Sequence, residues 1–246
     1  PTMPSSKLKT MKTRVLLPER MDDPMLDVHE HRQALQGLRR INRWTGTSRL
    51  AWRPLQELAL STAGHTLRVL DVATGAGDVP IALWKQARAH GWDWDIHACD
   101  LSETALEYAR QNGQRSGAAV HFFQHDIVAA PLMSDYDAVL CSQFLHHLTE
   151  HEALQVIGRL TAAATSRLVI IDLVRSRLNW LQVWLGTRIL SRSSVVHYDG
   201  PQSIRAAFSV AEVKQLARDS GLHSFEVYTA WPSRFVLVGM PDGDAP

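Results

Sequence analysis

The chain has 246 residues, 26 basic and 25 acidic side chains, a formal charge of +1 and 45% apolar content, the composition of an ordinary globular protein with one large domain and appended segments. Charge so balanced gives no overall field to draw the chain to nucleic acid or an anionic membrane, so neither is expected as a partner. Two cysteines, Cys99 and Cys141, each in an apolar run, are too few for a metal cage or disulfide framework, and no metal site is read. Buried thiols in a reducing, cytoplasmic setting are expected.

In chain order, residues 1 to about 25 are polar and broken by prolines. They read as an arm that lies on a neighbour or is partly disordered, with no secretory segment and no run near the roughly 20 apolar residues that span a bilayer. From 26 to 65 the spacing of Leu35, Leu38 and Ile41, and then of Leu50, Leu55 and Leu58, predicts a helical extension, broken at TGTS and restarted at RPLQEL. Beyond it, strand and helix patterns alternate. LRVLDVA, WDIHACD, VHFFQHD, YDAVLCSQ and SRLVIIDLV are strand-like, while VPIALWKQARAH, ETALEYARQNGQRSG and HEALQVIGRLTAAA are helix-like. This alternation implies βαβ units, a parallel sheet and right-handed crossovers.

Residues 175 to 207 form an insertion with amphipathic helical stretches around Trp180 to Leu190. A helix with the capping box Ser209/Glu212 follows and stops at Gly221, and FEVYTAWP and RFVLVGM then read as an antiparallel hairpin. The expected fold is therefore α/β: a Rossmann-like, seven-stranded, mostly parallel sheet with an antiparallel final strand, helices on both faces, the helical N-terminal extension and a helical lid. The expected division is an arm at 1–25, an extension at 26–65 and a main domain at 66–246 with the lid at about 175–207.

In such a sheet, ligands bind at the carboxyl ends of the strands, where the topology switches. The first corner carries Asp71, then Gly75 and Gly77, whose missing side chains let a ligand approach main-chain N–H groups at a helix start. Asp100 ends the second strand, 29 residues on, where a carboxylate can accept from ribose hydroxyls, and Asp126 at the third corner can accept from an exocyclic amine. Asp78 directly after the glycines would repel pyrophosphate and suit a cationic nucleoside such as a sulfonium. Taken singly, a strand-end Gly-x-Gly is common in α/β proteins, and Asp100 could simply cap the next helix, although Ser102 is the better N-cap.

These motifs resemble those of the class I S-adenosylmethionine-dependent methyltransferases. LDVATGAGD is similar to their glycine-rich first motif, in the form of the ubiquinone/menaquinone C-methyltransferase group, with Ala73 where the fullest motif has glycine. HACDLSETALEYAR, HDI and YDAVLCSQFLHHL are similar to the motifs that follow. The resemblance implies S-adenosylmethionine as cofactor. It implies that Asp71, Gly75 and Gly77 line the methionine part, that Asp100 holds the ribose, that Asp126 and Ile127 contact the adenine and the backbone near Ser142 faces the amino group, with Ala73, Asp78 and Leu101 completing the cofactor-binding set.

Methyl transfer from a sulfonium needs alignment, water exclusion and, for a hydroxyl acceptor, a base, for which histidine is the natural group. His146 or His197 is expected in that role; His147 has a structural reading as a hydrogen bonder at a helix start. Asp172, Tyr198 and Arg205 are further acceptor-side candidates. In the insertion, Trp180, Leu181, Trp184, Leu185 and Ile189 form an apolar stripe that either packs on the N-terminal helices or lids an apolar acceptor, with Arg175, Arg177, Arg188 and Arg192 available for an acidic or phenolate group. The expected enzyme methylates a small phenolic, quinone-like or polyketide-type hydroxyl or ring carbon, with a homodimer allowed. The alternatives are a nucleic-acid or protein methyltransferase, or a non-catalytic binder of adenosylmethionine. CSQFLHHL stands where enzymes acting on base amines carry an Asn/Asp-Pro-Pro-Tyr/Phe turn, which disfavours the nucleic-acid reading.

Overall fold

A computed structural model describes residues 11, 13–23, 25–62, 66–133 and 135–241. Two helices, α1 (Val28–Thr45) and α2 (Thr47–Ser61), meet at Gly46, whose φ of 71° serves as the end of one and the start of the other. The second helix therefore resumes at once and carries Pro54 inside it, rather than restarting at Arg53 as the sequence suggests.

The strands are β1 (Arg68–Val72), β2 (Asp95–Asp100), β3 (Val120–Gln124), β4 (Tyr136–Ser142), β5 (Ala164–Leu173), β6 (Ser224–Ala230) and β7 (Arg234–Met240). They form one sheet in the order β3-β2-β1-β4-β5-β7-β6. Strands β1 to β5 run parallel, and β7 is inserted antiparallel to both β5 and β6. The expected mixed, mostly parallel sheet with a reversed last strand is what the chain forms.

Helices α3 (Asp78–Ala89), α4 (Glu103–Ser116), α5 (Glu150–Ala163), α6 (Arg177–Leu190), α7 (Ser194–Ala206) and α8 (Val210–Asp219) complete the fold. Ser102 caps α4 and the Ser209/Glu212 box caps α8, as their spacing predicts. One core packs α5 and α8 residues such as Val156, Ile157, Leu160 and Val213 on one face of the sheet. The other packs α2 and α3 residues such as Leu55, Leu58 and Leu83 on the opposite face. Each face is apolar because buried parallel strands such as VLDV and AVLC have a covering helix on both sides. Cys99 and Cys141 are buried free thiols, and burial raises both, Cys99 to about 12.

Two further features depart from the sequence reading. Helix α7 is not evident from SVVHYDGPQSIRA, where Gly200 and Pro201 break the pattern; it forms because Val195, Val196, Ile204 and Ala206 are buried. Residues 13–23 dock on their own chain. The Val15 N–H donates to the Arg205 carbonyl at 3.0 Å, and the N–H groups of Arg20 and Met21 donate to the Asp199 carboxylate at 2.9 and 3.1 Å. The segment straps across α7 of its own chain; residues 1–10 of the expected arm lie outside the described residues.

Candidate active site

The strand order reverses between β1 and β4, and the corners that follow β1, β2, β3 and β4 converge there. After β1 the chain turns through Ala73 (φ 57°), Gly75 (φ 53°) and Gly77 (φ 71°). These are left-handed conformations in which a side chain costs about 1 kcal/mol or more. A Cβ at Gly75 would meet nothing within 4 Å, so that position opens onto free space, whereas one at Gly77 would press on Ala109 and Phe122 at 3.0 Å. The first glycine gives access; the second lets α3 sit close against its neighbours.

The acids hold this turn. The Thr74 hydroxyl donates to Asp71 Oδ2 at 2.6 Å, the Gly75 N–H donates to Asp100 Oδ2 at 2.8 Å, and the Ser102 N–H donates to Asp100 Oδ1 at 2.9 Å. Asp71 is buried, and its Oδ1 has no hydrogen-bond partner. Burial, with Asp78 and Asp100 nearby, pushes its carboxyl up to about 7. Burial likewise pushes Asp78 up to about 6, against the opposing pull of Asn42, Arg39 and Arg234, and raises Asp100. An orphaned buried carboxylate oxygen among three strained acids fits a cationic ligand, which would relieve all three. Asp126 is turned inward to its own corner, accepting from the Val128 and Ala129 N–H groups at 2.9 and 3.1 Å. Leu101 is exposed beside Asp100, Ile127 is buried, and Ser142 ends β4 just before Gln143, which has a φ of 55°.

Helix α1 covers this mouth, which the sequence reading did not foresee. Asn42 accepts from the Gln143 amide and bonds Asp78, Arg39 donates to Asn112 at 3.1 Å, Asn112 donates to the Ala76 carbonyl at 3.0 Å, and the charge of His31 acts on Asp100. The only trace in the sequence is that His31, Leu35, Arg39 and Asn42 recur on one helical face. Arg234, at the start of β7, is also a missed residue: it is buried, its guanidinium is lowered to about 10 by burial, and it faces Asp172 and Asp78.

On the other side of the switch point lies His146, in the single turn Leu145–His147 after β4. It is 3% exposed. Its Nδ1 lies 2.7 Å from Asp172 Oδ1, and its own N–H donates to Asp172 Oδ2 at 3.0 Å. Burial pushes Asp172 up, but the His146 charge and the hydrogen bonds from His146 and Leu173 hold it below the usual carboxylate range. The opposite ring atom, Nε2, faces Glu19 Oε1 at 3.8 Å, and His147 Nε2 lies 3.9 Å from Glu19 Oε2. Glu19, delivered by the strap, has no helical or strand period that could have marked it. The ligand atoms of Glu19, His146 and His147 fall within 4.8 Å of one another, close enough to converge on one small cation. They border a cavity of about 320 Å³ whose other walls are Leu16, Leu17 and Pro18.

The remaining candidates separate from this centre. His197 Nε2 is engaged at 2.8 Å by the Ser191 carbonyl at the α6–α7 corner. Tyr198 is exposed under the Arg20 guanidinium, and Arg205 bonds Gln202. Arg175 is not available to an acceptor: it is buried and spent on the Ala207 carbonyl at 2.6 Å and Glu212 at 2.7 Å. The apolar stripe splits, with Trp180 and Trp184 packing on Leu173, Ile204 and Ala207 while Leu181, Leu185 and Ile189 face outward.

Comparison with known proteins agrees with this geometry. Residues 69–180 match the family described as a methyltransferase domain. Release factor glutamine methyltransferase of Enterococcus faecalis is 37% identical over 103 residues, which are 42% of this chain and 35% of that protein. Demethylmenaquinone methyltransferase of Thermus thermophilus is 32% identical over 126 residues, 50% of this chain and 54% of that one. The chain thus spans about a third to a half of these relatives' lengths. In structure it is similar to magnesium protoporphyrin IX methyltransferase of Synechocystis with bound SAH, at a TM-score of 0.56 and 21% identity, covering 91% of this chain and 92% of that one. Residues 69–180 are thus a methyltransferase domain, in a chain whose fold is similar to that of S-adenosylmethionine-dependent methyltransferases.

Proposed function

We propose that the protein transfers a methyl group from S-adenosylmethionine to the hydroxyl of a small phenolic or quinol-type acceptor, with His146 as the base. The observation that carries this reading is the His146 imidazole held at Nδ1 by Asp172, with Nε2 directed to Glu19 and the cavity. The match to a demethylmenaquinone methyltransferase supports a small ring acceptor.

Asp71, Asp78 and Asp100 with the N–H groups around Gly75 and Gly77 would hold the cofactor, with Leu101 beside them and Asp126 and Ile127 toward its base. When bound, S-adenosylmethionine supplies a methyl group already activated by the positive sulfur. Asp172, kept ionised, fixes the Nδ1–H tautomer and leaves the Nε2 lone pair free to accept the acceptor's hydroxyl proton. The acceptor oxyanion so formed would be the nucleophile for the methyl group the cofactor would supply, and Glu19, 3.8 Å from Nε2, would stabilise the imidazolium left behind. Helix α1 and the strap exclude water from this step, and the insertion at about 175–207 forms the acceptor-side cover.

The test is S-adenosylhomocysteine release with a panel of phenols and hydroquinones, before and after exhaustive chelation. Turnover with at least one member, unchanged by chelation, is expected. Turnover only with a peptide substrate would overturn the small-molecule reading.

A further inference from the structure

Helix α6 has two unlike faces. Trp180 and the half-buried Val183 and Trp184 pack inward on Leu173 at the end of β5, Ile204 and Ala207. Outward, Leu178 (64% exposed), Leu181 (39%), Leu185 (51%) and Ile189 (71%) recur at intervals of three and four residues and make one continuous apolar stripe. The helix and its last flank, Arg177 to Arg192, contain exposed Arg177, Arg188 and Arg192 and no aspartate or glutamate. Arg188 lies over the Trp184 ring at 4.2 Å, with its stem along apolar surface and its charge at the edge of the stripe.

A second exposed apolar group adjoins this helix. Ser233, in the β6–β7 turn, donates its hydroxyl to Gln182 of α6 at 2.8 Å, and Trp231, two residues earlier in that turn, is 81% exposed. A basic helix with an apolar stripe, beside an indole projecting from a tight turn, has the chemistry of a segment that lies in the headgroup region of a bilayer. The bulk charge of +1 conceals this local excess.

We infer that α6, with Trp231, is a docking face for an anionic phospholipid membrane. The protein lies on the surface and does not cross it: among the described residues no helix is long and apolar enough to span a bilayer. Arginine without a neighbouring acid on the helix selects anionic headgroups, and the leucines and Ile189 enter the acyl boundary. Because the inner face of α6 packs on the end of β5, docking turns the carboxyl ends of the strands toward the bilayer.

Flotation of the full chain with vesicles of phosphatidylglycerol and phosphatidylcholine, beside vesicles of phosphatidylcholine alone, tests this without any turnover. Partition onto the anionic vesicles is expected, reduced at least tenfold by 0.5 M salt or by the charge reversal R188E/R192E, and abolished by L185E/I189E. Both variants should keep the wild-type melting temperature and S-adenosylmethionine binding. No partition of the folded wild type, equal partition of wild type and both variants, or a solution dimer that L185E/I189E dissolves would each overturn the inference.

Discussion

Between Arg68 and Ser142 the acids proposed to hold the cofactor arrive at successive strand ends, and most of their hydrogen-bond partners are close in sequence, Thr74 for Asp71, Ser102 for Asp100 and Val128 for Asp126, with Gly75 reaching Asp100 from the preceding corner. Around His146 the opposite holds. Asp172 comes from β5, Glu19 from the strap, and the Arg14 guanidinium reaches the His146 carbonyl at 3.1 Å across 132 residues of chain. The first region is largely a local construction that the sheet aligns and α1 covers, with Asn42 bonding Asp78; the second exists only when distant segments are packed. Damage to the first should therefore appear as lost cofactor affinity, and damage to the second as lost turnover.

The largest effect should come from His146→Gln, which keeps the volume but removes the proposed proton acceptor. A fall of about 10²- to 10⁴-fold in kcat is expected, with S-adenosylmethionine binding by calorimetry unchanged. Loss of binding instead would merge the two regions. Asp100→Asn removes a charged acceptor of two N–H groups, and charge-assisted hydrogen bonds are worth about 1.5–3 kcal/mol. Affinity for S-adenosylmethionine should fall about 10- to 100-fold, with little change in kcat at saturating cofactor.

Gly77→Ala puts a side chain at a φ of 71° and against Phe122 at 3.0 Å, for a loss of about 2–4 kcal/mol from backbone strain and overpacking together. Ala73→Gly, at a φ of 57°, should be neutral to stabilising by less than about 1 kcal/mol. Urea unfolding of both variants separates these signs.

The smallest effect is on pH dependence. Asp71 and Asp78, raised to about 7 and about 6, bind more protons folded than unfolded between their ordinary value near 3.8 and those values. Their contribution to stability thus falls as pH rises through that window. Asp172, held low, contributes stability that is lost only as pH drops through its depressed value. The cofactor-free protein should lose melting temperature between about pH 4 and pH 7, and Asp71→Asn should flatten that slope; a slope unchanged in the variant would remove Asp71 as its source.

The same contrast explains what could be read from the chain. Period-two and helical patterns located the strands and most helices because each is imposed by burial on one face or both. Asp71, Asp100 and Asp126 were legible because a strand end is a place in the sequence as well as in space. Asn42, Arg39 and Arg234 were not, since their role depends on α1 and β7 folding over the glycine turn. Glu19 lay in a segment without periodicity, and its meaning comes from the strap's docking on α7. Arg175 shows the converse error, a charge that looked available in sequence but is consumed by Glu212 and a backbone carbonyl.

Calorimetric titration of the wild-type chain with S-adenosylmethionine decides whether the glycine turn and its acids form a cofactor site. Binding at one site per chain is expected, weakened in Asp100→Asn and unaltered in His146→Gln. Absence of binding to the folded wild-type protein would contradict it.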